Sequence, residues 1–170
     1  MKRGMMLGIG LLAAAFMSCS SSTEPDGLDA SGAVIAHTDC KDFTTIASVT
    51  DVPADQNCIE YVYDGESVLL LRYVNGRFNC CPDSLTAAFT IATGSILIEE
   101  EEWASNPCDC ICLYDLDSRV TGLPPGTYTI TVDEPYRSAG AGLLEFTVDL
   151  ATSPQGSYCV PRDMTGGSAH

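Results

Sequence analysis

The chain predicts an all-β protein: one antiparallel β-sandwich of seven to eight short strands, stapled by disulfides. Three observations carry the prediction. From Phe43 onward, short runs rich in Val, Ile, Thr and Tyr are broken by Gly, Pro, Asn and Asp turn signals. No segment shows an apolar stripe at helical spacing, and DSLTAA at 83–88 is at most one turn. Nine cysteines in 170 residues suit a domain held by covalent links.

The elements follow in chain order. Lys2 and Arg3 precede an apolar core from Met5 to Met17, which has the length of a signal-peptide core. A membrane span needs roughly 17–25 residues, so this stretch is too short to cross. Cys19 follows directly in FMSC, which resembles the lipobox of bacterial lipoproteins, where the cysteine after the cleavage point is lipidated. The resemblance implies a signal peptide at 1–18 and a lipid anchor on Cys19. It also implies a bacterial cell envelope location, with Ser20 compatible with outer-membrane sorting. A plain secretory peptide cut elsewhere is the alternative. Residues 19–32 carry the anchor and an acidic, Pro- and Gly-containing tether with too little apolar surface to fold. Residues 33–162 make one domain of about 130 residues, long enough for a proper core. Residues 163–170 form a flexible tail.

Strand composition and length are found in FTTIASVT (43–50), CIEYVYDG (58–65), SVLLLRYVNG (67–76), AFTIATG (88–94), SILIEEEE (95–102), TYTITVDE (127–134) and GLLEFTVDL (142–150). Tyr128, Ile130 and Val132 are expected to face one way, against Thr127, Thr129 and Thr131. Leu144, Phe146, Val148 and Leu150 form a second inward row opposite Glu145, Thr147 and Asp149. YDGES and VNGR read as tight hairpin turns, because Gly tolerates positive φ.

The segment Gly122-Leu123-Pro124-Pro125-Gly126-Thr127-Tyr128 resembles the GLPPGTYT loop and strand of transthyretin-like domains and collagen-binding-protein B-type repeats. Fibronectin type III domains carry a comparable pattern, ending in a tyrosine that ties a loop to the sandwich. The resemblance covers about a dozen residues. It implies an immunoglobulin-like or transthyretin-like sandwich whose role is structural, adhesive or carbohydrate-facing. B-type repeats also often carry a lysine isopeptide bond. Lys41, the one lysine after the signal, sits in the acid- and cysteine-rich DCKDFTT, and no such bond is expected.

With Cys19 assigned to lipid, Cys40, Cys58, Cys80, Cys81, Cys108, Cys110, Cys112 and Cys159 remain, an even number suited to four disulfides. If CDCIC is a strand, its cysteines share a face and stand roughly 6.5–7 Å apart, too far to bond one another. Cys80 and Cys81 point to opposite sides of an extended chain and need separate partners, at least one of them in CDCIC. Cys40 and Cys159 lie near the two ends of the domain, where a bridge between them closes it. The competing reading is a thiolate centre for Zn or Cu built from Cys80, Cys81, Cys108, Cys110 and Cys112, since soft sulfur favours those metals. A redox-active pair is a third reading, although no CxxC occurs.

Other chemistry is sparse. His170 ends the chain and His37 falls near a strand end, so no Ser–His–Asp or Cys–His arrangement is expected, and no catalytic residues are assigned. HExxH, P-loop and dinucleotide glycine patterns are absent. Glu99, Glu100, Glu101 and Glu102, followed by Trp103, are a possible ligand surface for weak Ca2+ or for a sugar stacked on the indole. The plainer reading is a frayed, solvated strand end. Asp115 and Asp117 in DLDSR lack the later Gly and Glu of a calcium loop and read as a turn. Loss of Lys2 and Arg3 makes the formal charge of −15 two units more negative, which disfavours nucleic acid and anionic headgroups.

The leading reading is a non-enzymatic envelope or surface lipoprotein, structural or binding a partner protein or a glycan, with no cofactor expected. Its alternatives are a thiolate metal-binding protein and a small carboxylate-based hydrolase of surface polymers.

Overall fold

A computed structural model describes residues 28–41 and 52–162, and every structural statement below refers to those residues. The signal, Cys19, the tether up to residue 27, the strand expected at 43–50, and the tail with His170 lie outside them. Nine strands follow in order: β1 (Ser31–His37), β2 (Gln56–Tyr63), β3 (Leu69–Asn79), β4 (Ser84–Ala92), β5 (Ser95–Trp103), β6 (Ile111–Thr121), β7 (Thr127–Asp133), β8 (Leu144–Asp149) and β9 (Gln155–Pro161). They form a five-stranded sheet, β1-β6-β3-β2-β9, and a four-stranded sheet, β4-β5-β7-β8. The expected all-β sandwich is present, with nine strands rather than seven or eight. No helix among the described residues is long and apolar enough to cross a membrane.

The two inward rows predicted from alternation are the heart of the core. Tyr128, Ile130 and Val132 are buried from β7; from β8 and its end, Leu144, Val148 and Leu150 are buried, with Phe146 half-buried. Opposite them pack Ile59, Tyr61, Leu69, Leu71, Phe78, Leu116 and Val120 from the five-stranded sheet. Each aliphatic side chain fully removed from water stabilises the fold by roughly 1.5–3 kcal/mol, so this inter-sheet layer dominates the energetics.

One pair departs from the antiparallel expectation: β5 and β7 run parallel, Ser95 facing Thr129 and Glu99 facing Asp133. The chain leaves the four-stranded sheet after β5, crosses the other sheet as β6, and returns in its former direction. Three expected turns are also corrected. VNGR lies inside β3, where Asn75 (φ 65°) sits at a register shift between Tyr73 and Gly76 against β6. The bulge is stable because the Asn75 side-chain amide donates to the carbonyls of Pro53 (2.9 Å) and Gln56 (2.8 Å). DSLTAA opens β4, and DLDSR is the middle of β6, whose aspartate pattern masks a buried strand. YDGES is the β2–β3 turn, with Gly65 at φ 88° and Asp64 Oδ1 accepting from three backbone amides.

The GLPPGTYT segment joins β6 to β7 across the sheets. Gly122 (φ 73°) passes so close to the Asp29 carbonyl that a Cβ would stand 2.2 Å from its oxygen. Tyr128 Oη donates back to Pro124 O at 2.9 Å, and Tyr63 Oη donates to Leu123 O at 2.9 Å. Two tyrosines thus pin one loop to both sheets.

Candidate functional site

Every sulfur in the candidate thiolate cluster is consumed by a disulfide. Cys80 bonds Cys110, Cys81 bonds Cys108, Cys40 bonds Cys112, and Cys58 bonds Cys159. Both members of the adjacent pair therefore reach the CDCIC run, through separate partners as expected. The expected Cys40–Cys159 closure is wrong. Cys159 stands directly opposite Cys58 in the β2–β9 ladder, Cα–Cα 4.1 Å, while Cys40 lies beside the start of β6. CDCIC is also not one strand: Cys112 is in β6, but Cys108 and Cys110 precede it. Asn79 organises this end. Its Oδ1 accepts from the amides of Cys81 (3.0 Å) and Cys108 (2.9 Å), and its Nδ2 donates to Cys108 O (2.6 Å).

The acidic run is split by the pleat of β5. Glu99, Glu101 and Trp103 face outward, the indole 63% exposed, whereas Glu100 is buried and Glu102 half-buried. The frayed-end expectation fails because β4 pairs with all of Ser95–Trp103. Glu102 Oε2 accepts from the Asn79 amide at 2.7 Å, and its Oε1 accepts from Tyr136 Oη. Burial, together with neighbouring Glu134 and Asp133, pushes the Glu100 carboxyl well above the ordinary carboxylate range. Beside it Glu134, also buried, accepts from Tyr73 Oη (2.6 Å) and Asn57 Nδ2 (2.7 Å) and ion-pairs with Arg162. Two carboxylates do approach each other here, but inside the sandwich, where no polymer reaches them.

Lys41 reaches two partners on distant strands. Its Nζ donates to Asn75 Oδ1 at 2.8 Å and ion-pairs with Asp115, which Arg72 also binds at 2.9 Å. Burial of Asp115 opposes its ionisation, but hydrogen bonds from Lys41, Arg72 and the Asn75 amide outweigh it and hold the carboxyl below its ordinary range. Asp117, the other half of the calcium-loop pattern, is half-exposed beside Arg72. Among the described residues no group of three or more His, Cys, Asp or Glu is placed to hold a metal ion.

The described residues also form surface concavities. One, of about 520 Å3, lies on the outer face of the five-stranded sheet, where Ile35, Val62 and Leu70 are exposed beside Glu60, Arg72 and Asp117. Another, about 500 Å3, opens between the edge strands β8 and β9. Here three rings stack in series: Tyr61 on Phe146 with centroids 5.8 Å apart, and Phe146 on Tyr158 at 5.0 Å. Glu145, Thr147, Asp149, Ser153 and Ser157 complete the rim, and no Lys or Arg lines it. Alternation placed Phe146 inward, but the trio was not legible from sequence because its members come from three strands. The only local signal was an aromatic in each of two edge strands.

No protein-family model, curated protein or solved structure matches this chain.

Proposed function

We propose that the chain is a non-enzymatic envelope lipoprotein, anchored through Cys19, whose stapled sandwich binds a partner protein or a glycan outside the cytoplasm. The observation that carries this reading is the closure of all eight domain cysteines into four disulfides. Such a framework belongs to an oxidising compartment and leaves those sulfurs no role as metal ligands or nucleophiles. The export-like segment, the FMSC cysteine and the strong negative charge agree with it. We read the sandwich as immunoglobulin-like or transthyretin-like, supported by the GLPPGTYT loop and the Tyr128–Pro124 tie.

The hydrolase reading loses ground on geometry. Its best carboxylate pair, Glu100 and Glu134, is buried, and Glu134 is committed to hydrogen bonds from Asn57 and Tyr73 and to the Arg162 ion pair. The experiment is metabolic labelling with radioactive palmitate followed by membrane fractionation, for the natural chain and for Cys19→Ser. Label and outer-membrane recovery that both vanish in the variant support the anchor. An unlabelled natural chain in the soluble fraction would replace it with plain secretion.

A further inference from the structure

We propose that the groove between β8 and β9 is a binding site for a neutral oligosaccharide, with a sugar ring lying on the open face of Tyr158. The inference rests on the binding role proposed above and names the ligand class. Tyr158 is 36% exposed; one face of its ring is stacked on Phe146, at an interplanar angle of 20°. The C–H face of a pyranose is apolar and slightly positive, matching the negative face of an aromatic ring. Phe146, itself backed by Tyr61, holds the platform in one orientation.

The support below is equally specific. Tyr61 lies directly over Gly156 of β9, where a Cβ would stand 2.6 Å from its hydroxyl oxygen. Any larger residue at 156 moves Tyr61 and tilts the stack. At the rim, Glu145 Oε2 accepts from Thr131 Oγ1 at 2.9 Å, and Thr147 Oγ1 bonds Thr129 Oγ1 at 2.9 Å. These contacts fix both side chains yet leave each with further hydrogen-bonding capacity, which suits sugar hydroxyls that donate and accept.

Charge selects among ligands. The groove has carboxylates and hydroxyls but no Lys or Arg, on a chain of net charge −15. Uronates, phosphates and sulfated polymers are repelled, whereas neutral hexose chains are not. The groove is open along two strand edges, since β8 pairs only with β7 and β9 only with β2 among the described strands. A linear chain can pass through it without an end.

The test is calorimetric titration of the exported, oxidised protein, taken from whichever cell fraction carries it, with cellohexaose and maltohexaose. Polygalacturonate and an uncharged extended peptide serve as comparisons. Backbone amide spectra are recorded alongside. Expected are binding of at least one neutral sugar, shifts centred on residues 146 and 158, and no binding of polygalacturonate. Tyr158→Ala should weaken that binding about tenfold or more, the scale of one lost aromatic contact, and Tyr158→Phe should retain it. Three results would overturn the proposal: neither sugar binds at millimolar concentration, Tyr158→Ala binds unchanged, or the peptide binds instead and shifts the β9 amides. Because the assay does not depend on membrane attachment, its failure leaves the lipoprotein reading to the palmitate experiment.

Discussion

Glu100 is the one residue of the acidic run that the fold buries. Its side chain is buried, Oε2 has no hydrogen-bond partner, and Glu134 and Asp133 disfavour its charge. A carboxyl whose folded pKa exceeds its unfolded value contributes stability fully present below the unfolded pKa and lost as pH rises through the folded one. The loss therefore begins above the ordinary carboxylate range and grows toward alkaline pH. Glu100→Gln keeps the shape and removes the titration, so thermal unfolding across pH 4–9 should show a flatter alkaline limb and a variant more stable than the parent at pH 8. A parallel pair of curves would sink this assignment. Asp115 has the opposite sign: its depressed pKa supplies stability that is lost as pH falls through the folded value. The same ion pair decides the fate of Lys41. An ammonium held against a carboxylate has no free lone pair, and the Asn75 amide it meets is clamped by backbone carbonyls. The intact mass should show no loss of one ammonia, and a mass short by that amount would reveal a Lys41–Asn75 crosslink. None of this was legible in EEEE or DCKD. Burial of one glutamate in four, and the meeting of residues 41, 75 and 115, depend on contacts between distant strands.

At the scale of elements, alternation was informative wherever one face of a strand is packed and the other wet. β7 and β8 show this pattern, and their inward rows fall as the sequence predicts. It failed for β6, where Asp115 occupies a buried position made tolerable by Lys41 and Arg72, neither a sequence neighbour. It failed at Asn75–Gly76 because a bulge and a hairpin turn demand the same residues. The β6–β7 loop is the element whose chemistry was best forecast, and Tyr128→Phe tests it. Removing the hydroxyl that binds Pro124 O should cost about 1 kcal/mol in denaturant unfolding with little change in m. No measurable cost would mean that the loop is held by Leu123 and Tyr63 alone. β9 has a different dependence. It is an edge strand in which only Val160 is buried, and Cys58–Cys159 ties it to β2 across a separation of 101 residues. The double variant Cys58→Ser, Cys159→Ser should lose roughly 2–5 kcal/mol, with hydrogen exchange rising first in β9. Unchanged protection there would show that noncovalent pairing suffices.

For the whole molecule, the covalent framework ties the ends of the chain to the middle. Three disulfides gather at one end of the sandwich around Asn79, and the fourth fastens the last strand. The even count of cysteines after Cys19 announced four bridges. Their partners needed the register of β2 against β9 and the path of the loop before β6, which no spacing rule supplies. Closure of those eight sulfurs fastens both ends of the domain and leaves none of them as a thiolate. The most direct test is to denature the protein, expressed with its N-terminal segment intact, under an alkylating reagent, with and without reductant, and to record intact mass, bridge connectivity and metal content on one sample. Eight cysteines protected until reduction, paired 40–112, 58–159, 80–110 and 81–108, with no stoichiometric metal, is the predicted result. Four or more free thiols carrying zinc or copper would contradict it and make the cysteine cluster the active feature of the protein.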